Sequence, residues 1–176
     1  GAAIVVSATE RAKDLRNRPV LVMGIAEGHP DSPSVITQRP DLTRLGIAKA
    51  APKAFKMAGV TPNDIHVAEV YDCFTYIVMC QLEDMGFCKK GEVKDYLASN
   101  SLRFDAPSGP ALNTDGGGLS SNHPGMRGIF LLTEAARQLR GESTSQRAKA
   151  DLAVAHGNGG QLGGTHAAAT IILGKD

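Results

Sequence analysis

The sequence predicts an α/β fold, a mixed sheet layered with helices, and three observations carry that expectation. Short apolar runs rich in β-branched residues alternate with stretches whose apolar residues recur at helical spacing. Clusters of Gly, Pro, Asn and Asp punctuate the alternation as turns. With 176 residues, of which 42% are apolar and 21% charged, the chain has the composition of one soluble globular core.

Taken in order, Ala2–Ser7 (AAIVVS) and Val20–Ala26 (VLVMGIA) read as buried strands joined by a charged, helical link. An opening directly in an apolar run suggests a fragment or a processed chain. His29–Pro40, with three prolines, reads as a linker before a helix opening near Asp41. That helix would present Ile47, Ala51, Phe55 and Ala58 on one face and end at Gly59, with Pro52 expected to kink or restart it. Thr61–Asp64 is turn chemistry, Ile65–Val70 a strand, and Phe74, Ile77, Val78, Leu82 and Met85 fall at helical spacing. Tyr71-Asp72-Cys73 therefore sits where a strand becomes a helix. Gly86–Pro110 is long and weakly patterned, as an insertion beside a site would be.

Ile129, Leu132, Ala136 and Leu139 mark a helix face that begins past Pro124, so His123 precedes a helix N-terminus. Asp151–His156 and His166–Leu173 are the last two strands. Ligands of open α/β sheets collect at strand ends and helix starts, which singles out the loops Tyr71–Phe74, Asn113–Gly128 and His156–Gly160. Two of these loops carry dense glycine, Gly116–Gly118 and Gly157–Gly164, in a chain of 20 glycines. Glycine lets a backbone approach a ligand closely, at a conformational cost that suggests a site.

Net charge of +1 leaves no large positive field for nucleic acid or an anionic membrane surface. No run approaches the roughly 20 apolar residues of a membrane-spanning helix, and the start lacks the basic region of a signal peptide, so a cytoplasmic location is expected. Cys73, Cys80 and Cys88 are odd in number and match no common zinc spacing, which disfavours disulfides and metal. The expected partner is a small molecule or a protein.

Asn113-Thr114-Asp115-Gly116-Gly117, followed at a fixed interval by Asn122-His123-Pro124-Gly125 and Gly128, resembles the N-x-x-G-G…G-H-P-x-G block of the thiolase superfamily. Glu69-Val70-Tyr71-Asp72-Cys73-Phe74 falls where thiolases carry N-E-A-F and sterol-carrier-protein-type members carry H-D-C-F. His156-Gly157-Asn158-Gly159-Gly160 falls where the superfamily carries C-x-G. Three motifs in order, from about Val20 to Leu173, make the resemblance specific. It implies a thiolase-like C-terminal domain over residues 20–176, with residues 1–19 as the last strand and link from an N-terminal half.

The resemblance further implies an acyl-CoA enzyme that makes or breaks a carbon–carbon bond beside a thioester, with no permanently bound cofactor and a coenzyme A thioester as substrate. His123 takes the oxyanion role, Cys73 or His156 the acid/base role, and Tyr71 the place of the usual asparagine. Gly117, Gly118, Pro124, Gly159 and Gly160 would line the thioester's path. The acyl-accepting cysteine is expected in the N-terminal half, on the same or a separate chain. The first expectation is thiolase-type acyl transfer on a 3-oxoacyl-CoA. The alternatives are a retro-aldol lyase acting on a steroid side-chain 3-hydroxyacyl-CoA, with Tyr71 as base, and a non-catalytic thiolase-like subunit. A homo-oligomer and an OB-fold/zinc-ribbon accessory protein are the expected partners.

Overall fold

The computed structural model describes residues 1–29, 39–121, 125–159 and 167–175. Its strands are β1 (Val20–Gly28), β2 (Val67–Val70), β3 (Ala111–Leu112), β4 (Leu152–Gly159) and β5 (Ala167–Lys175). Its helices are α1 (Ile47–Ala58), α2 (Thr75–Met85), α3 (Val93–Ser99), α4 (Gly117–Ser120) and α5 (Gly128–Arg140). The strands form one mixed sheet in the order β1-β5-β4-β2-β3. β5 runs antiparallel to both β1 and β4, while β2 pairs parallel with β3 and β4. Four strands thus share a direction, and their C-terminal ends lie along one rim.

The two faces of the sheet are covered differently. Val70, Val154, Ala168 and Ile172 pack towards α1 and α2, whereas Val67, Ala153, Ala155 and Leu173 pack towards α5. β2 is buried on both faces, which is why it reads as an unbroken run instead of an alternation. α1 lies close on β1 because the facing residues are small. A Cβ at Gly24 would overlap the carbonyl oxygen of Ala54, and one at Gly28 that of Gly46.

Several expectations are corrected. Ala2–Ser7 is not a strand: residues 1–8 have no regular structure, Val5 is 95% exposed, and a 3-10 turn at Thr9–Asp14 follows. A strand needs a neighbour to take its backbone hydrogen bonds, and no described strand pairs with this segment. α1 opens at Ile47 because Asp41 accepts hydrogen bonds from the Thr43 amide and hydroxyl, a local turn that competes with helix. The helix runs through Pro52 without a break, since Pro52 faces solvent and the carbonyl it leaves free can meet water.

The inward face of α5 is Leu131, Glu134, Ala135, Gln138 and Leu139, a stripe rotated from the apolar one read in the sequence. Glu134 and Gln138 are turned in by partners, Thr114 and Ser143 for the first, Ser145 and Arg147 for the second. Gly86–Pro110 contains α3, and Arg147 holds its second half by donating to the carbonyls of Phe104, Ala106 and Gly109.

Candidate active site

At the end of β2 the backbone is fastened from two sides. Tyr71 N–H donates to the His156 carbonyl at 2.9 Å, which extends the β2–β4 ladder by one step. On the other side Asn113 sits at φ 46, a left-handed conformation that asparagine tolerates. Its amide oxygen accepts from Val70 N–H at 2.7 Å and its amide nitrogen donates to the Val70 carbonyl at 2.9 Å. Gln81 of α2 donates to the Tyr71 carbonyl at 2.5 Å. The Val70–Tyr71 backbone is therefore held by groups from three segments before the Tyr71 side chain touches anything.

That side chain leaves the sheet on the α5 face, packing against the cluster that includes Leu131 and Ala155. Its hydroxyl is hydrogen-bonded to the Cys73 thiol. Burial, and then the sulfur, push the Tyr71 phenol above its ordinary value. Cys73 is also raised, because burial outweighs the hydrogen bonds from Tyr71 and from the amides of Phe74 and Cys73. Both members of the pair are thus neutral at pH 7 and able to give a proton.

Asp72, almost fully buried, turns the other way and accepts from the amides of Gly118 at 2.7 Å and Leu119 at 3.2 Å. Its carboxylate thus takes orphan donors of α4 and fixes the loop. Gly117 stands at φ +65 with no room for a Cβ, which would overlap Asp72 Oδ2. Gly117 and Gly118, expected along the thioester's path, are engaged here with Asp72. Asp115 accepts from Gly117 N–H and pairs with the buried Arg127 at 2.6 Å, which ties the turn before α4 to the residue before α5.

His156 is 0% exposed and lies on the opposite face from Tyr71. It pairs with Thr170 across the β4–β5 ladder, and Thr170 Oγ1 is 2.9 Å from Nδ1 while Asn158 Oδ1 is 2.7 Å from Nε2. The amide oxygen only accepts, so Nε2 carries the hydrogen and Nδ1 accepts from Thr170. Burial lowers His156 to about 4. Both ring nitrogens are occupied in this arrangement. The residue of this motif that faces Tyr71's side is Gly157, whose Cβ would lie 3.8 Å from Gly128 at the start of α5. Gly159 is exposed at the end of β4. His123, Pro124 and Gly160 lie outside the described residues.

The structure therefore brings together Tyr71 and Cys73, beside Gly157 and the start of α5, and separates His156 from them by the sheet. Sequence reading assigned no role to Asn113, Asp115, Arg127 or Asn158, nor to Glu69, which accepts from Thr114 beneath Tyr71. The asparagine opening a T-D-G-G turn was the available signal for the first. Among the described residues there is no group of three or more His, Cys, Asp or Glu able to hold a metal, and no helix long and apolar enough to cross a membrane.

A model of the thiolase C-terminal domain-like family matches residues 28–175. The chain is 38% identical over 147 residues to the 17-hydroxy-3-oxo-4-pregnene-20-carboxyl-CoA lyase of Mycobacterium tuberculosis, covering 81% of this chain and 37% of the relative. It is 37% identical to the steroid side-chain-cleaving aldolase of Thermomonospora curvata, with 83% and 37% covered. An acetyl-CoA acetyltransferase of Methanocaldococcus jannaschii is 31% identical, with 99% and 45% covered. Among solved structures, the Ltp2-ChsH2(DUF35) aldolase matches at TM-score 0.80 and 32% identity over 96% of this chain and 42% of that one. A monomeric SCP2-thiolase-like protein of Mycobacterium smegmatis, at TM-score 0.63 and 19% identity over 89% and 29%, shares the fold. The chain spans less than half the length of each of these relatives.

Proposed function

The chain belongs to the thiolase C-terminal domain-like family, and from that premise we propose that residues 20–176 form the proton-transfer half of an acyl-CoA enzyme that cleaves a 3-hydroxyacyl-CoA by a retro-aldol reaction. The carrying observation is the hydrogen-bonded, neutral Tyr71–Cys73 pair, with Tyr71 packed on the α5 side of the sheet. Water or a base of the N-terminal half accepts the 3-hydroxyl proton, C3 becomes a carbonyl as the C2–C3 bond breaks, and the electron pair of that bond becomes the thioester enolate. Tyr71 gives the enolate carbon a proton, acting as an acid where the sequence suggested a base. Cys73 hydrogen-bonds the phenolate oxygen left behind, and the proton lifted from the substrate hydroxyl restores it, so the pair ends as it began. On sequence grounds, His123 is the donor to the thioester oxygen.

Two relatives named for lyase and aldolase activity, at 38% and 37% identity, support this order of preference. Thiolase-type acyl transfer stands second, favoured by the 31% identity to an acetyl-CoA acetyltransferase over 99% of the chain. It requires a nucleophilic cysteine from an N-terminal half, to which residues 1–19 would be the link. A companion protein fits either reading, because the solved neighbour is named as a pair, Ltp2-ChsH2(DUF35).

The deciding assay supplies the completed enzyme with 3-hydroxyacyl-CoA and, separately, with 3-oxoacyl-CoA plus coenzyme A, and follows products by mass spectrometry. Cleavage of the first to a shorter acyl-CoA and a ketone or aldehyde is expected. Tyr71→Phe should lower kcat about 100-fold or more, the usual range for a lost acid. An acyl-enzyme and thiolysis of the second, with the first untouched, would transfer the assignment to acyl transfer.

A further inference from the structure

Beneath the Tyr71 loop, one threonine hydroxyl lies between two buried carboxyl groups. Thr114 Oγ1 is 2.8 Å from Glu69 Oε1 and 2.7 Å from Glu134 Oε1. Glu69 is 0% exposed and Glu134 is 3% exposed. A hydroxyl has one hydrogen to donate, so the second of these contacts needs a proton on a carboxyl oxygen. The other donors leave that need unmet, since Thr114 N–H points at Glu69 Oε1 and Ser143 Oγ at Glu134 Oε1. The charged groups around the pair are Arg137 of α5, 3.2 Å from Glu134 Oε2, and Asp115 of the loop, which is matched by Arg127. Two buried carboxylates facing one direct cation are stabilised by keeping a proton.

We propose that Glu69 and Glu134 share one proton through Thr114 at neutral pH, and that this proton latches the loop carrying Asn113 to the strand carrying Tyr71. The two glutamates are thereby positioning residues. Thr114 follows Asn113, whose amide holds both backbone groups of Val70, and Tyr71 is the next residue along. Loss of the proton sets two negative charges across one hydroxyl and loosens that clamp. Burial pushes Glu69 up to about 8, while Arg137 pairs with Glu134 at 3.2 Å. None of this depends on the acyl-CoA reading, and its test needs no substrate.

The test is thermal unfolding of the native protein against pH, with wild type, Glu69→Gln and Glu134→Gln. A carboxyl raised from 4.5 to about 8 on folding makes the native state hold a proton the unfolded state has lost, so stability falls as pH rises across that window. His156 works in the opposite sense up to 6.5, which leaves pH 6.5 to 8 as the clear interval. Wild-type Tm is expected to fall across it, Glu69→Gln to be flat, and Glu134→Gln to keep a shallower slope than wild type because burial of Glu69 remains. The slope is read, so a uniform loss of stability in either variant is immaterial. An infrared band for a protonated carboxyl should be present in wild type at pH 7, weaker in Glu134→Gln and absent from Glu69→Gln. If Glu134→Gln keeps the full wild-type slope, burial alone holds the proton and sharing is wrong. A slope surviving in both variants overturns the proposal. Should neither variant fold, the absence of the infrared band from the wild type at pH 7 overturns it, and its presence supports it.

Discussion

Tyr71 and His156 are adjacent in the sheet, joined by the Tyr71 amide and the His156 carbonyl, yet their side chains leave on opposite faces. That divergence gives them different chemistry from similar backbone positions. His156 is closed in by Thr170 and Asn158, and its folded pKa of about 4 lies below the ordinary 6.5. Between those values the unfolded chain binds a proton that the native chain refuses, so stability rises with pH through the window and is lost as pH falls through it. At about 1.4 kcal/mol per pKa unit, the swing is on the order of 3 kcal/mol. Glu69 acts in the opposite sense from 4.5 upward and offsets this rise, so urea midpoints of His156→Gln should fall from pH 4.5 to 6.5 where those of the wild type stay nearly level. Both residues were legible in the sequence as strand-end positions, because motif and turn chemistry are local. Which face each would take was not, because that depends on where α5 and α1 dock. Cys73 was legible in place but not in protonation state, since burial there outweighs the nearby amides.

Element by element, the glycine-rich loops divide into two kinds. Gly117 stands at φ +65 against the carboxylate of Asp72, and Gly117→Ala should destabilise by about 2 kcal/mol or more through backbone strain and displacement of that carboxylate. Gly157 has ordinary van der Waals room, so Gly157→Ala should stay within about 0.5 kcal/mol of wild type in chemical denaturation. The two substitutions look alike in the sequence, where glycine density drew attention to both loops for the same reason. Strands β1, β2, β4 and β5 and helix α2 were readable from periodicity to within a few residues. The inward face of α5 was not, because Glu134 and Gln138 are buried polar residues whose partners come from distant loops. A scale of hydropathy turns such a helix the wrong way.

At the scale of the molecule, α5 leaves part of its side of the sheet uncovered. Val22 and Ile25 of β1 are 55% and 49% exposed, opposite Leu173 and Ile171, and Ala167 and Ala169 beside them are exposed as well. Residues 3–7, read as part of a buried strand, are mostly apolar and exposed as well. The 176-residue chain alone should therefore self-associate in size-exclusion chromatography and bind hydrophobic dye, and co-production with an N-terminal half should suppress both.

The sheet's two margins tell of a different hazard. β1, nine residues long, is an outer strand among the described residues, and its pairing with β5 slips between Val22 and Gly24. The kink makes a poor template for a stray strand from another molecule, since a foreign ladder started at one end falls out of step at the other. The opposite margin, β3, offers two residues, too few to seed anything. A protein with a greasy face on its sheet thus keeps that face from becoming the first layer of a fibril by spoiling the edges along which a fibril would grow.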